Sequence, residues 1–347
     1  MNNKIVTFGE ILMRLTPPGY LKLSQTGTLA FSFGGSETNV AVSLSHFGLR
    51  SEFVTRLPQN AVAEACLMNL RSHGIITDHI AFGGDRMGLY FSENAASMRV
   101  SKITYDRANS AFVSVRPEMF DWDEIFADAS WFHWSGIGPG LSQDAADTCN
   151  AALEVAKRRG LTVSCDLNYR NNLWKYGKSA EEVMARLADK CDVLFGTEGE
   201  YHVAFGVEPV GYHVRSTTEP IDLAAYERFF ADVMRKAPNC RKAFLALRNT
   251  LTADHHILTG LLYADGKLYT TRTNSIEHVV DCVGVGDAFA AGIVYGMLNF
   301  PGDDQRALDF AVAASTIKNT YSGDFNLATA DEVRSLMAGA AADGIAR

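Results

Sequence analysis

Residues 281–292 read Asp281-Cys282-Val283-Gly284-Val285-Gly286-Asp287-Ala288-Phe289-Ala290-Ala291-Gly292, a glycine-rich turn running straight into an apolar helix. The unpaired N–H groups of such a turn and helix start form an anion site. Gly284 and Gly286 let a phosphate approach the backbone, and Val285 between them still offers its N–H. Asp287 fits poorly in a site built only for phosphate, because its charge would repel one. It fits well as a base that takes a proton from an attacking hydroxyl while the turn stabilises a phosphoryl group in transfer. On residue types alone, a glycine loop capped by Asp287 remains the competing reading. Two arginines stand in other polar segments, Tyr105-Asp106-Arg107 and Asp166-Leu167-Asn168-Tyr169-Arg170. Together Arg107 and Arg170 could clamp a carboxylate in planar, bidentate fashion, whereas a neutral hexose would not need both. Read separately, each is a surface ion pair. His255-His256 has no acidic or cysteine partner close in sequence and reads as a strand edge.

The elements that must hold these groups alternate. Strands are expected at Lys4 to Phe8, Glu52 to Thr55, Trp131 to Ser135, Leu161 to Cys165, Val193 to Phe195 and Ala243 to Leu247. A helix follows Gly34-Gly35-Ser36, with Ser36 as its cap and Gly48 closing it. Further helices are expected over 61–73, 142–159, 180–188, 223–236, 285–299 and 303–321, by apolar spacing. A hairpin is expected to turn on Asp265-Gly266. Between Gly74 and Trp131 no long helix fits. Residues 88–94, 98–105 and 110–115 look extended, and they read as a small separate sheet together with part of residues 11–33. Repeated strand–helix units imply a doubly wound α/β fold, its mainly parallel sheet covered by helices on both faces. The site should then lie off the carboxyl ends of the strands.

The pattern Asp-x-x-Gly-x-Gly-Asp-x-Phe-x-x-Gly resembles the C-terminal signature of the ribokinase-like (PfkB) carbohydrate kinases. Phe33-Gly34-Gly35-Ser36-Glu37-Thr38-Asn39-Val40-Ala41 is similar to their N-terminal sugar motif. No G-x-x-x-x-G-K-[ST] and no G-x-G-x-x-G occurs. The resemblance spans nearly the whole chain. It implies one ribokinase-like domain over 1–347, with a β lid from about 11–33 and 87–115 inserted in it. It implies ATP and Mg²⁺ as cofactors, Asp287 as general base, and Gly284, Val285 and Gly286 as anion hole. Gly284, Gly286 and Asn168 would face the nucleotide.

Tyr90, Tyr105-x-Arg107, His133-Trp134-Ser135-Gly136 and Asp166-x-Asn168-x-Arg170 look like the 2-keto-3-deoxygluconate kinase branch. By that likeness Gly34, Gly35, Asn39, Tyr90, Tyr105, Arg107, Arg170 and Asp287 bind a sugar acid, and its terminal C6 hydroxyl is phosphorylated. Four departures stand out. Cys282 replaces Thr or Ser, Val285 replaces a small residue, and Thr197 replaces an Asn three residues before Glu200. Arg248-Asn249-Thr250 stands where many members carry a glycine-bearing nucleotide loop. Glu200 is expected to support Mg²⁺ through water, or else to be an ordinary first-turn helix acid. Neighbouring readings are a kinase of fructose or of 5-keto-2-deoxygluconate. In another class lies a sugar-binding paralogue that has lost transfer.

The composition agrees with a soluble enzyme. Of 347 residues 47% are hydrophobic and 21% charged, and 32 Lys+Arg against 40 Asp+Glu give a net charge of -8. An acidic surface argues against nucleic acid or an anionic membrane as partner. The longest weakly polar run, Ala288 to Phe300, is shorter than the ~20 residues of a membrane span. The six cysteines are scattered without a C-x-x-C pair, as in a reducing cytoplasm. An exposed lid sheet suggests a homo-oligomer joined through it.

Overall fold

The structure is a computed structural model, and it describes residues 4–211 and 216–339. The main sheet has nine strands. From one edge its order is Arg50–Val54, Lys4–Phe8, Ala129–Ser135, Thr162–Asp166, Val193–Phe195 and Lys242–Thr252, all parallel. His255–Ala264 and Lys267–Thr270 then extend it antiparallel, and Asn274–Ile276 also pairs with His255–Ala264. Apolar cores lie on both faces. One gathers Trp134, Phe132 and Phe230, and the other Phe244, Phe310 and Val294. Parallel strands buried on both sides carry near-continuous apolar runs, as Val193-Leu194-Phe195 does.

Several boundaries follow from local chemistry. Ser142 caps Gln143–Arg158 by accepting from the Ala145 N–H, and Ser179 caps Ala180–Ala188 through Glu182. Asp265 and Gly266, both at positive φ, make the tight hairpin turn. The helix Val285–Asn299 lies hard against Asp304–Lys318, because a Cβ on Gly292 would sit 2.5 Å from the Ala311 Cα. That contact anchors the helix whose N-terminus carries the glycine turn.

A second, four-stranded sheet forms the lid, in the order Ala30–Gly34, Leu12–Thr16, Leu89–Glu93, Lys102–Asp106. Its strands match the expected lid, with two corrections. Residues 110–115 are not extended. Ala111–Ser114 is a short 3-10 turn, because Phe112 is buried against Phe8 at 5.3 Å between ring centres instead of pairing with a strand. Ser36 does not cap its helix either. The cap position belongs to Gly35, and the Ser36 hydroxyl is bonded elsewhere. The sequence reading also lacked the helices Glu198–Phe205 and Ala330–Met337.

Candidate active site

The strand ends and the lid enclose a cleft of about 510 Å³. Its walls bring together Gly34, Gly35, Asn39, Tyr90, Tyr105, Arg107, Asn168, Arg170 and Glu200 with the Gly284–Asp287 turn. The thirteen candidate site residues therefore share one cavity.

Asp287 is held from two sides. Ser36 Oγ donates to its Oδ1 at 2.8 Å, and Asn39 Nδ2 donates to its Oδ2 at 2.7 Å. Ser36 and Asn39 stand three apart on the helix Ser36–His46, so one helix face presents both. Asn168 Nδ2 in turn donates to Ser36 Oγ at 2.9 Å and to Asp166 Oδ2 at 3.3 Å. Asn168 thus belongs to the Asp287 network, whereas the sequence set it against the nucleotide. Burial raises the Asp287 pKa above the usual carboxylate range, while the Asn39 and Ser36 bonds oppose the rise. A carboxylate so placed is a stronger base than one in water and keeps two fixed donors to aim it.

The turn before it is shaped for an anion. Gly284 has φ +82°, and a Cβ there would lie 2.0 Å from the Asp324 carbonyl oxygen. Gly286 has open space where a Cβ would be. Val285 starts the helix, and its branched side chain is buried, so the departure leaves the cleft side of the turn clear. Cys282 is half-buried and lines the same wall.

Beneath the turn lies a buried charge cluster that the sequence did not reveal. Arg14, on the lid, reaches Asp281 Oδ2 at 2.7 Å and Asp324 Oδ1 at 2.9 Å. Asp281 also accepts from the N–H groups of Val283 and Gly323. The Tyr90 hydroxyl shares its one hydrogen between both oxygens of Asp324, so its donor is engaged by protein and its lone pairs and ring are left for a ligand. Gly34 must be glycine, because a Cβ there would lie 2.1 Å from the Asp324 carboxylate.

The two arginines are held by different acids. Arg107 pairs through Nε and Nη2 with Glu10, which also accepts from Ser110, and its guanidinium lies 5.4 Å from the Tyr105 ring centre. Arg170 lies 3.6 Å from Glu200 Oε1 and is 44% exposed. Glu200 forms a capping box with Thr197, so its Oε2 serves the helix start while Oε1 faces Arg170. Asp166 is pushed well above the usual carboxylate range by burial, then by Glu200 and Asp287. A divalent cation nearby would relieve that crowding, so the residues present fit Mg²⁺ held mainly through water. Elsewhere His255 bonds Ser275 and His256 is buried, its pKa lowered to about 4 by burial. Among the described residues no group of three metal-binding side chains occurs.

The chain belongs to the pfkB family carbohydrate kinases, whose pattern it matches over residues 2–220 and 259–330. Kinases of this family bind ATP. A 2-dehydro-3-deoxygluconokinase from Thermotoga maritima superposes with a TM-score of 0.89 at 38% identity, covering 97% of this chain and all of the other. A 2-dehydro-3-deoxygalactonokinase from Haloferax volcanii is 30% identical over 98% of both chains. A 5-dehydro-2-deoxygluconokinase from Geobacillus kaustophilus is 25% identical over 85% of this chain and 81% of its own.

Two outcomes are expected from this geometry. Asp287→Asn keeps the shape and removes the proton acceptor, so kcat should fall by ~10²–10⁴ with sugar binding retained; a steady-state assay decides, and a variant keeping more than about a tenth of kcat would refute the role. Glu37, fully buried beside Ser135, has its pKa raised to about 7 by burial, against the lowering bond from Ser135. A raised carboxylate pKa stabilises the fold below its unfolded value near 4.5, and that stability is lost as pH rises through about 7. Urea titrations should therefore show wild type losing on the order of 3 kcal/mol relative to Glu37→Gln between pH 4.5 and 8.

Proposed function

We propose that this chain is an ATP-dependent kinase of 2-keto-3-deoxygluconate (the 2-dehydro-3-deoxygluconate of the relative's name), acting on its terminal C6 hydroxyl. The observation that carries the reading is the Asp287 carboxylate. It is aimed by Ser36 and Asn39 at the end of an open glycine turn, inside a cleft whose lid carries a cation. Likeness to the Thermotoga maritima enzyme over almost the whole chain supports the substrate. The Haloferax volcanii relative favours the galacto epimer as second reading. The two acids share a carboxylate, a keto group and a primary hydroxyl.

The steps balance. Asp287 accepts the proton of the C6 hydroxyl, and that oxygen forms a bond to the terminal phosphorus of ATP. The bond from that phosphorus to the bridging oxygen breaks, and ADP leaves. The N–H groups at Gly284, Val285 and Gly286 take up charge on the phosphoryl oxygens. Mg²⁺, when bound, screens the phosphates. Glu200 Oε1 would hold its water shell, and Arg170 beside it would face phosphate oxygens or the acid. Arg107, with Nε and Nη2 given to Glu10, has Nη1 to offer the substrate carboxylate, and Tyr105 packs beside it. Gly34 and Gly35 bring backbone close to the sugar, and Tyr90 walls it.

We read the chain as one kinase domain with its lid. Among the described residues, nothing pairs with the outer side of the lid's edge strands Ala30–Gly34 and Lys102–Asp106. Phe31 there is 62% exposed and Met98 beside the second strand 81% exposed, which suits a second copy as partner. No helix among the described residues is long and apolar enough to cross a membrane. Six free cysteines and ATP as donor suit the cytoplasm.

A coupled ADP assay with a sugar panel tests the substrate. Wild type should prefer the sugar acid to fructose. Arg107→Ala should lose roughly 10- to 150-fold in kcat/KM on the acid and little on fructose, since a hydrogen bond to a buried charge is worth about 1.5–3 kcal/mol. Equal loss on both sugars would return Arg107 to supporting the lid, and preference for fructose would overturn the substrate.

A further inference from the structure

Lys318 ends the helix Asp304–Lys318, and its side chain is fully buried. A buried lysine needs partners that hold its charge. Its ammonium donates to two main-chain carbonyls, Asp281 at 3.4 Å and Tyr321 at 3.2 Å. The first begins the glycine turn, and the second leads into the segment that carries Asp324. The Lys318 Cε lies 3.3 Å from where a Cβ on Gly284 would be, so the ammonium stem runs directly under the turn. The same two loops are also strapped by Asn319, whose carbonyl accepts from Val280 and Asp281, and by Gly323, whose N–H donates to Asp281. Burial lowers the Lys318 pKa, Asp281 and Asp324 oppose the fall, and Arg14 adds to it.

We propose that Lys318 is a positioning residue for phosphoryl transfer: its ammonium is a tethered monovalent cation that cross-links the two loops and fixes the direction of the turn's N–H groups. This rests on the reading that the turn receives phosphate. An apolar side chain of equal length would fill the space but leave two carbonyls unbonded and two carboxylates less screened. Main-chain carbonyls are the ligands that free potassium accepts, and ammonium is of similar size and charge. A small free cation can therefore stand in when the tether is removed.

The test uses the full chain in ammonium, potassium or choline chloride at equal ionic strength. Wild type should turn over at the same rate in all three, because its site is already filled. Lys318→Ala in choline should lose roughly 10- to 150-fold in kcat, the scale of a buried bond to a charge, with little change in the KM of the sugar acid. Ammonium should restore most of that loss and raise the variant's melting temperature above its value in choline. Lys318→Met, which fills the space, should not recover. The proposal is overturned if wild type requires potassium or ammonium, if folded Lys318→Ala keeps kcat within about threefold of wild type, or if no small cation restores the loss. Should the alanine variant not fold, Lys318→Gln is uncharged and one bond shorter, though it keeps N–H donors; it should show the same loss, and wild-type kcat in it overturns the proposal. Absence of ADP formation by wild type with every sugar acid would instead refute the kinase reading, while the melting comparison still tests the brace.

Discussion

The Arg14 guanidinium, buried between Asp281 and Asp324, ties the lid to the glycine turn. Arg14 sits on the lid strand Leu12–Thr16, Asp281 opens the glycine turn, and Asp324 lies under Gly34 and Tyr90. One charge cluster therefore sets the lid wall and the glycine-turn wall of the cleft in a common frame. Such a cluster adds little net stability, because desolvation cancels most of the attraction. Removing a single member is different, since it strands a buried charge at a cost of about 3–5 kcal/mol.

The cleft also poses an electrostatic problem. Glu10, Glu37, Asp166, Glu200 and Asp287 all line it, in a chain of net charge -8, yet the proposed substrates are anions. Burial above all raises the pKa values of Asp166, Glu37 and Asp287 from their ordinary carboxylate values, and neighbouring carboxylates add to the rise. Fixed N–H dipoles at the turn, Arg107, Arg170 and a magnesium ion are the offsets available to incoming phosphates and a carboxylate. Like charges around Asp287 have a use of their own, because they make it a better proton acceptor.

How much of this was legible in the sequence depended on whether the signal was local. The Asp265-Gly266 hairpin and the helix 285–299 are legible because each is decided within a few residues. For the glycine turn and Asp287, spacing alone leaves a capped glycine loop as the competing reading, and only the likeness to the family signature favours a catalytic one. Ser36 misled, because a serine before a helix reads as a cap. Only the return of the helix 285–299 beside it gives its hydroxyl a carboxylate to bond. A cue existed in Ser36 and Asn39, one helical turn apart behind two glycines. Arg14 and Lys318 offered no cue. Arg14 meets Asp324 across 310 residues, and Lys318 meets Asp281 from the far end of a long helical pair. Residues 110–115 read as strand because burial of Phe112 and strand alternation look alike over so short a run.

The central claim is that one cleft aligns an acceptor hydroxyl, Asp287 and the glycine turn. A crystal structure with 2-keto-3-deoxygluconate and a non-hydrolysable ATP analogue tests it most directly. The expected result places the C6 oxygen within hydrogen-bond reach of Asp287 and the terminal phosphate over Gly284, Val285 and Gly286, in line with that oxygen. A sugar acid bound with its hydroxyl turned away from Asp287, or a terminal phosphate seated on Arg248 away from the turn, would contradict it.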